Sequence, residues 1–458
     1  MYSQSIFRAY DIRGVYLQEF DEKGAEDIGK AYASYLLFHS KSSSLQICIG
    51  RDGRTHSQEI SEAFVRGVLS TGVSVVDTEL SFSPLLYFST CFGKFDGGVM
   101  ITASHNPKEY NGFKFQGEQA HALFGEQLQE ILDILEEKRF VESELPGMYT
   151  KDSFLEEYVH KLKTLVPGSY SAKIVIDAGN GVAGSFAPEI FRQFGFTVEE
   201  LYCELDGTFP NHIADPENEE TLKDLQNQVV LSQADFGLAF DGDGDRIGLV
   251  SSDGKIYSAD MIFLLLIRDI ALRVENPKVV CNVSTSSLAS EEIEKNGGVY
   301  IPSRVGHSYI ENTMRAERAV LGGENSGHFF FAENYYGFDD AVLAGLRLIS
   351  YVLESKKPLS DHFKNLPPVF TSPEYKIELD DVKKFAVEKA LKERFKKEYP
   401  CDFLDGVKID FGNKEWAIAR VSNTKPELKF RIEARTKESL EKYTKLMREA
   451  ILEEVKKI

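Results

Sequence analysis

"AKIVIDAGNGVAGSFAPEIFRQFGFTVEEL", residues 172–201, is the stretch on which the fold turns. Its first apolar run, KIVID, has the length and β-branched content of a buried strand, and it ends in the glycine-rich turn AGNG. Apolar residues at helical spacing follow as far as Gly195, and FTVEEL returns to strand character. Strand, turn, helix and strand in this order form the unit of a layered α/β domain.

The same order occurs on either side. "LQICIGRD" reads as a strand running into a polar loop, "SQEISEAFVRGVLSTG" as a helix closed by glycine, and "VSVVDTEL" as the next strand. "PKVVCNVSTSSLASEEIEKNGGVYIPSRVGH" gives the order a third time. Three similar mixed-sheet α/β domains are expected, although their residues differ too much for periodicity alone to establish duplication. The C-terminal part differs. A Lys-rich amphipathic helix, strands at GVKIDF, WAIARVS and LKFRIEA, and a terminal helix predict a smaller α+β domain. A chain of 458 residues has room for four domains, since single cores stop growing beyond roughly 250–300 residues. Linkers at ESELPGMY (142–149) and KNLPPVFTSP (364–373), with a division after the acidic loop near 250, give expected domains of 1–147, 148–251, 252–367 and 368–458.

The balance of 72 acidic against 53 basic residues, a net charge of −19, disfavours a nucleic-acid-binding surface. An anionic substrate would need basic side chains concentrated in its site. No opening segment has the order of a signal peptide, and the longest apolar run, MIFLLLI at 261–267, is too short to span a membrane. The five cysteines lack a CxxC pair, and several, in strand-like runs such as LQICIG and KVVCNV, read as buried thiols, which fits a reducing cytoplasm. Monomer and dimer are both compatible with the sequence.

Four polar loops draw chemistry. "VMITASHNPKEYNGFKF", residues 99–115, sets Ser104 beside His105 after a buried strand. The GxSxG elbow of a serine hydrolase is missing, and on an extended segment His105 would point away from Ser104. Serine needs a base, a metal or an attached group to act. "LAFDGDGDRIGLV", residues 238–250, separates Asp241, Asp243 and Asp245 by glycines. Carboxylates this close repel, and a divalent cation resolves the conflict. An EF-hand would need Gly and Glu where Arg246 and Ser252 stand, so Mg²⁺ is the better match, with coordination positions left for water or phosphate oxygen. "GGENSGHFFF" (322–331) offers Glu324 and Ser326 to sugar hydroxyls, and "ARVSNTKPELKF" (419–430) offers Arg420, Ser422, Asn423 and Thr424 to a phosphate. Taken alone, either loop is as readily a capped turn as a site.

Together, and in this order, FRAYDIRG (7–14), GRD (50–52), TASHNP (102–107), NGFK (111–114), DGDGDR (241–246), GH (306–307), GENSGH (323–328) and SNT (422–424) resemble the α-D-phosphohexomutase superfamily, over essentially the whole chain. The resemblance implies a four-domain heart-shaped enzyme in which each domain gives one loop to a central cleft. It implies a phosphoserine at Ser104 and Mg²⁺ held by that phosphate with Asp241, Asp243 and Asp245. A hexose 1,6-bisphosphate would be both intermediate and activator. It assigns Arg13, Lys114, Arg246 and His328 to charge stabilisation and proton transfer, with Lys114 foremost for the proton. Arg304, His307, Glu324, Ser326, Arg420, Ser422, Asn423 and Thr424 would bind substrate. SNT favours mannose or glucose phosphates over the glucosamine phosphate that SGT accompanies. SRVGHSYIE departs from the family pattern, with Arg304 and Val305 for lysine and threonine, and Glu311 for a lysine. A glucosamine-phosphate mutase and a non-catalytic sugar-phosphate-binding relative are the competing readings.

Overall fold

The computed structural model describes residues 1–42, 44–422 and 425–458. Its strands form four sheets. In the first, the parallel strands Ser74–Leu80, Gln46–Arg51 and Gly97–Ile101 continue through antiparallel Tyr110–Gln116 to Ile12–Val15, and Tyr149–Lys151 closes the other edge. The opening stretch supplies the second sheet. Lys173–Asp177 lies between Thr197–Leu201 and Phe236–Phe240, parallel to both, and Ile247–Ser251 returns antiparallel. The third repeats this plan with Val299–Ser303, Lys278–Asn282, Leu321–Gly323 and Phe329–Phe331. The fourth is antiparallel among its described strands and packs on the helices Asp381–Phe395 and Lys437–Lys457. The chain is thus three mixed α/β domains and a smaller α+β domain, as its strand and helix patterns predict.

Helices cover both faces of the first three sheets, which is why their central strands are apolar throughout; Gly97–Ile101 and Phe236–Phe240 are buried at every position. One apolar cluster runs through the first three domains, from Phe82 and Phe88 through Tyr158 and Phe191 to Phe263 and Phe329. The fourth domain has its own core around Val387, Leu391, Phe430, Ile432 and Met447. Its contact with the third domain is mostly polar. Arg431 donates to Asp260 Oδ2 at 3.0 Å and to Ser284 O at 2.8 Å, while Val283, Trp416 and Ile418 form a small apolar patch.

One device recurs in all four domains. A buried strand ends, a polar loop follows, and the chain returns antiparallel beside it: 97–101 to 110–116, 236–240 to 247–251, 321–323 to 329–331, and 415–421 to 427–434. The four polar loops singled out in the sequence are these four connections. Among the described residues no helix is long and apolar enough to cross a membrane. All five cysteines are free, with Cys48, Cys203 and Cys281 buried.

Candidate active site

The first two of these loops meet face to face. Ser104 is buried, and its Oγ donates to Asp241 Oδ2 at 2.7 Å across the domain boundary. The contact is close because Gly242 has no side chain; a Cβ there would stand 2.3 Å from Ser104 O. Gly244, at φ +74, turns the loop back in a conformation that favours glycine. Ser104 itself has φ 51, with its N–H bonded to Thr102 Oγ1 at 2.8 Å. The segment is therefore not extended, and His105 does not point away: its Nδ1 lies 3.1 Å from Ser104 Oγ. Burial, with Arg246 and Arg13 nearby, holds the His105 pKa well below the ordinary histidine value.

The three aspartates are fully buried, with ligand oxygens all within 4.8 Å of one another. Asp241 Oδ1 accepts from the backbone of Asp245 and Arg246 at 3.0 and 3.1 Å. Lys114 Nζ donates to Asp243 Oδ2 at 2.6 Å and to Asp245 Oδ2 at 2.5 Å, and Ser83 Oγ to Asp243 Oδ2 at 2.7 Å. Burial and the two neighbouring carboxylates drive the Asp241 pKa far above the ordinary range. Burial acts the same way on Asp243 and Asp245, but Lys114 outweighs it and both are held low. Burial opposes the Lys114 charge as well, and the same two carboxylates overcome it, so Lys114 holds its proton firmly.

Asp243 Oδ1 and Asp245 Oδ1 are buried without a hydrogen-bond partner. Unpaired carboxylate oxygens at such depth are costly unless a cation meets them. The donor set is all oxygen, so the three residues fit a hard divalent cation such as Mg²⁺. A second acidic cluster, Asp245, His328 and Asp339, adjoins it. There Arg246 Nε donates to His328 Nε2 at 2.8 Å, which puts the ring hydrogen on Nδ1, 2.6 Å from Asp339 Oδ2. Both ring nitrogens are thus engaged, and Arg246 ties the aspartate loop to the third-domain loop.

The remaining predicted residues ring this centre. Arg13 Nη2 lies 2.6 Å from Asp11, which is 3.4 Å from His307 Nε2; burial opposes the His307 charge, Asp11 outweighs it, and its pKa is raised. Glu324 Oε1 accepts from Asn282 Nδ2 at 3.0 Å and from Gly306 N at 2.8 Å, while Ser326 is half-buried in the same loop. Arg304 and Arg420 stand apart from the aspartates. Arg304 is exposed, with its guanidinium 4.5 Å from the Tyr309 ring. Arg420 is buried in the fourth domain, 3.6 Å from Glu374. Ser422 is buried with its hydroxyl accepting from Lys425 N at 3.1 Å; Asn423 and Thr424 lie outside the described residues.

The residue that sequence reasoning missed is Arg54, two positions beyond the GRD motif. It is buried and uses all five N–H donors. Nη2 reaches Ser104 O at 2.6 Å and Asn106 O at 2.7 Å, Nη1 reaches Pro107 O at 2.8 Å and Tyr110 O at 3.0 Å, and Nε reaches Asp52 at 3.1 Å. Asp52 also accepts from Thr102 Oγ1 at 2.7 Å, the hydroxyl that receives the Ser104 N–H. The serine loop is shaped by this one guanidinium. Arg54→Lys is expected to lower stability by about 1–3 kcal/mol, because an ammonium cannot span the four carbonyls and leaves buried acceptors unpaired. A shift in the unfolding midpoint checks it.

Four domains built on this plan, with a buried serine of the first against three buried carboxylates of the second, have the architecture of an α-D-phosphohexomutase. Profiles of the phosphoglucomutase/phosphomannomutase family match in series: alpha/beta/alpha domain I at residues 4–142, domain II at 153–254, domain III at 258–370 and the C-terminal domain at 374–450. A phosphoglucomutase of Neisseria meningitidis serogroup A is 37% identical over 445 residues, 96% of this chain and 95% of its own. A phosphomannomutase/phosphoglucomutase of Pseudomonas aeruginosa is 36% identical over 447 residues, 97% and 95%. The crystal structure of a phosphoglucomutase/phosphomannomutase family protein from Burkholderia thailandensis superimposes with a TM-score of 0.91 at 31% identity, covering 99% of this chain and 98% of that one. The chain belongs to the phosphoglucomutase/phosphomannomutase family of the α-D-phosphohexomutase superfamily.

Proposed function

We propose that the protein interconverts the 1- and 6-phosphates of mannose, glucose or both, with Ser104 as phosphoryl carrier. The observation that carries the reading is the 2.7 Å hydrogen bond from Ser104 Oγ to Asp241 inside a buried cluster of three carboxylates. A serine so placed is adjacent to the cation that would offset the charge of a phosphate on it. In the forward half-reaction the Ser104 Oγ–P bond breaks and a bond forms from phosphorus to the free sugar hydroxyl, whose proton passes to Ser104 Oγ. The hexose 1,6-bisphosphate then reorients and returns its other phosphate by the reverse exchange. Asp241, Asp243 and Asp245 would hold Mg²⁺, which when bound would offset most of their charge and draw charge from the transferring group.

In this reading Arg13, Arg246 and Lys114 surround the phosphoryl group with positive charge, and His328 holds Arg246 in place. Lys114, charged between Asp243 and Asp245, enters proton transfer as a donor. Glu324 and Ser326 hold two sugar hydroxyls, with His307 and Arg304 at the cleft wall. Arg420, Ser422, Asn423 and Thr424 cradle the phosphate that is not reacting. The domain division at 147, 251 and 367 follows this assignment of one loop to each domain.

Names of relatives support mannose and glucose: the Neisseria protein is a phosphoglucomutase and the Pseudomonas protein carries both names. Isomerisation rates on mannose 1-phosphate, glucose 1-phosphate and glucosamine 1-phosphate, with hexose 1,6-bisphosphate added as activator, test the choice. A clear preference for the amino sugar would turn the assignment to a glucosamine-phosphate mutase. Arg420→Ala is expected to raise the KM for sugar phosphate about tenfold to a hundredfold, the size of a charged hydrogen bond, with little change in Mg²⁺ affinity. An unchanged KM removes Arg420 from the cradle.

A further inference from the structure

Glu311 is a buried carboxylate of the third domain that faces the first. It lies four residues after His307 and four before Arg315 on the helix His307–Glu317, so the three share one face. That face is pressed against the first domain: Ala122 N–H points to Glu311 Oε2 at 3.4 Å, and Arg315 Nη2 donates to Gln119 O at 2.7 Å. Glu311 is 4% exposed, and its near cation is Arg315, with Nε 3.0 Å from Oε1 and a side chain 27% exposed. Burial pushes the carboxyl up to about 7, Asp339 adds to the rise, and Arg315 and His307 only partly oppose it. Glu311 is a buried carboxylate short of positive charge.

A cavity of about 10 Å³ is walled by Glu311 and Lys114, with Tyr10, Tyr87, His307 and Asp339 around them. That volume admits one group the size of water or ammonium. Two of the other wall residues are engaged elsewhere, His307 by Asp11 at 3.4 Å and Asp339 by His328 at 2.6 Å. Lys114 Nζ sits on Asp243 Oδ2 and Asp245 Oδ2, and these carboxylates are two of the three that fit the divalent cation. An ammonium on the Oδ2 atoms and a dication on the unpaired Oδ1 atoms of the same two carboxylates repel each other.

We propose that Lys114 has two stations and that Glu311 is its counter-ion in the second: the ammonium leaves Asp243 and Asp245 to the cation and swings into the cavity against the Glu311 carboxylate. The inference rests on the metal reading above.

Titration calorimetry of Mg²⁺ into the full-length protein tests this with four variants: wild type, Glu311→Gln, Lys114→Met and the double variant. Glu311→Gln is expected to raise the Mg²⁺ Kd about tenfold, one charged hydrogen bond, when Lys114 is present, and to leave it unchanged in the Lys114→Met background. Glu311→Asp, which keeps the charge, is expected to fall between wild type and Gln and serves if Gln disturbs folding. The same change in both backgrounds, or none in either, overturns the two-station lysine while leaving the metal reading intact. Absence of Mg²⁺ binding by the wild type overturns the metal reading and this one with it.

Discussion

Ser104→Ala is expected to lower mutase turnover by about 10⁴-fold or more, since in the proposed mechanism it deletes the atom that carries the phosphoryl group. His105 is near, with Nδ1 3.1 Å from Ser104 Oγ, but it is not hydrogen-bonded to the aspartate cluster as Ser104 Oγ is. The fold should tolerate the change. Ala keeps the Cβ that Ser104 already has at φ 51, and the backbone remains fixed by Thr102 and by Arg54. The cost is one hydrogen bond, on the order of 1 kcal/mol. Two measurements separate carrier from mere contact: turnover with added hexose 1,6-bisphosphate, and intact mass after incubation with it. Wild-type protein should gain one phosphate and the variant none. A variant that turns over at the wild-type rate ends the phosphoserine mechanism.

Much of this centre is visible in the residue order. The alternation of aspartate and glycine at 241–245 announces a cation loop because glycine is what lets neighbouring carboxylates converge, and Gly242 and Gly244 each have that use in the fold. The three strand, helix, strand units are equally plain, since their apolar runs follow from burial on both faces.

What stays hidden is set by tertiary approach. Arg54 reads as an ordinary polar loop residue, and only folding brings carbonyls from Ser104 to Tyr110 around it. Ser83 looks like the start of a helix, yet its hydroxyl reaches Asp243 across 160 residues of sequence. His105 was expected to face away because an extended segment was assumed, and the left-handed turn at Ser104 reverses the geometry. Lys114 shows the limit most clearly. Ten residues of spacing suggest a base near the serine, but the carboxylates that fix its charge come from another domain.

That placement makes Lys114→Met the variant with the largest expected effect on stability. Removing the ammonium strands Asp243 and Asp245 beside Asp241, all at 0% exposure, with Ser83 still donating to Asp243 and His328 Nδ1 3.6 Å from Asp245. Breaking a buried charge pair from one side costs about 3–5 kcal/mol. The variant should therefore unfold at lower temperature than wild type in the presence of a chelator. Mg²⁺ should then do more for the variant than for the wild type. A ligand that binds only the folded state adds stability in proportion to the logarithm of its concentration over its Kd. In the wild type the cation must first displace an ammonium 2.6 and 2.5 Å from the same carboxylates, whereas in the variant it meets them unopposed. The Mg²⁺-induced rise in unfolding midpoint is expected to be larger for Lys114→Met, and its Kd lower, even as catalysis is lost. Equal rises in the two proteins would mean that the Lys114 ammonium does not oppose a cation at Asp243 and Asp245.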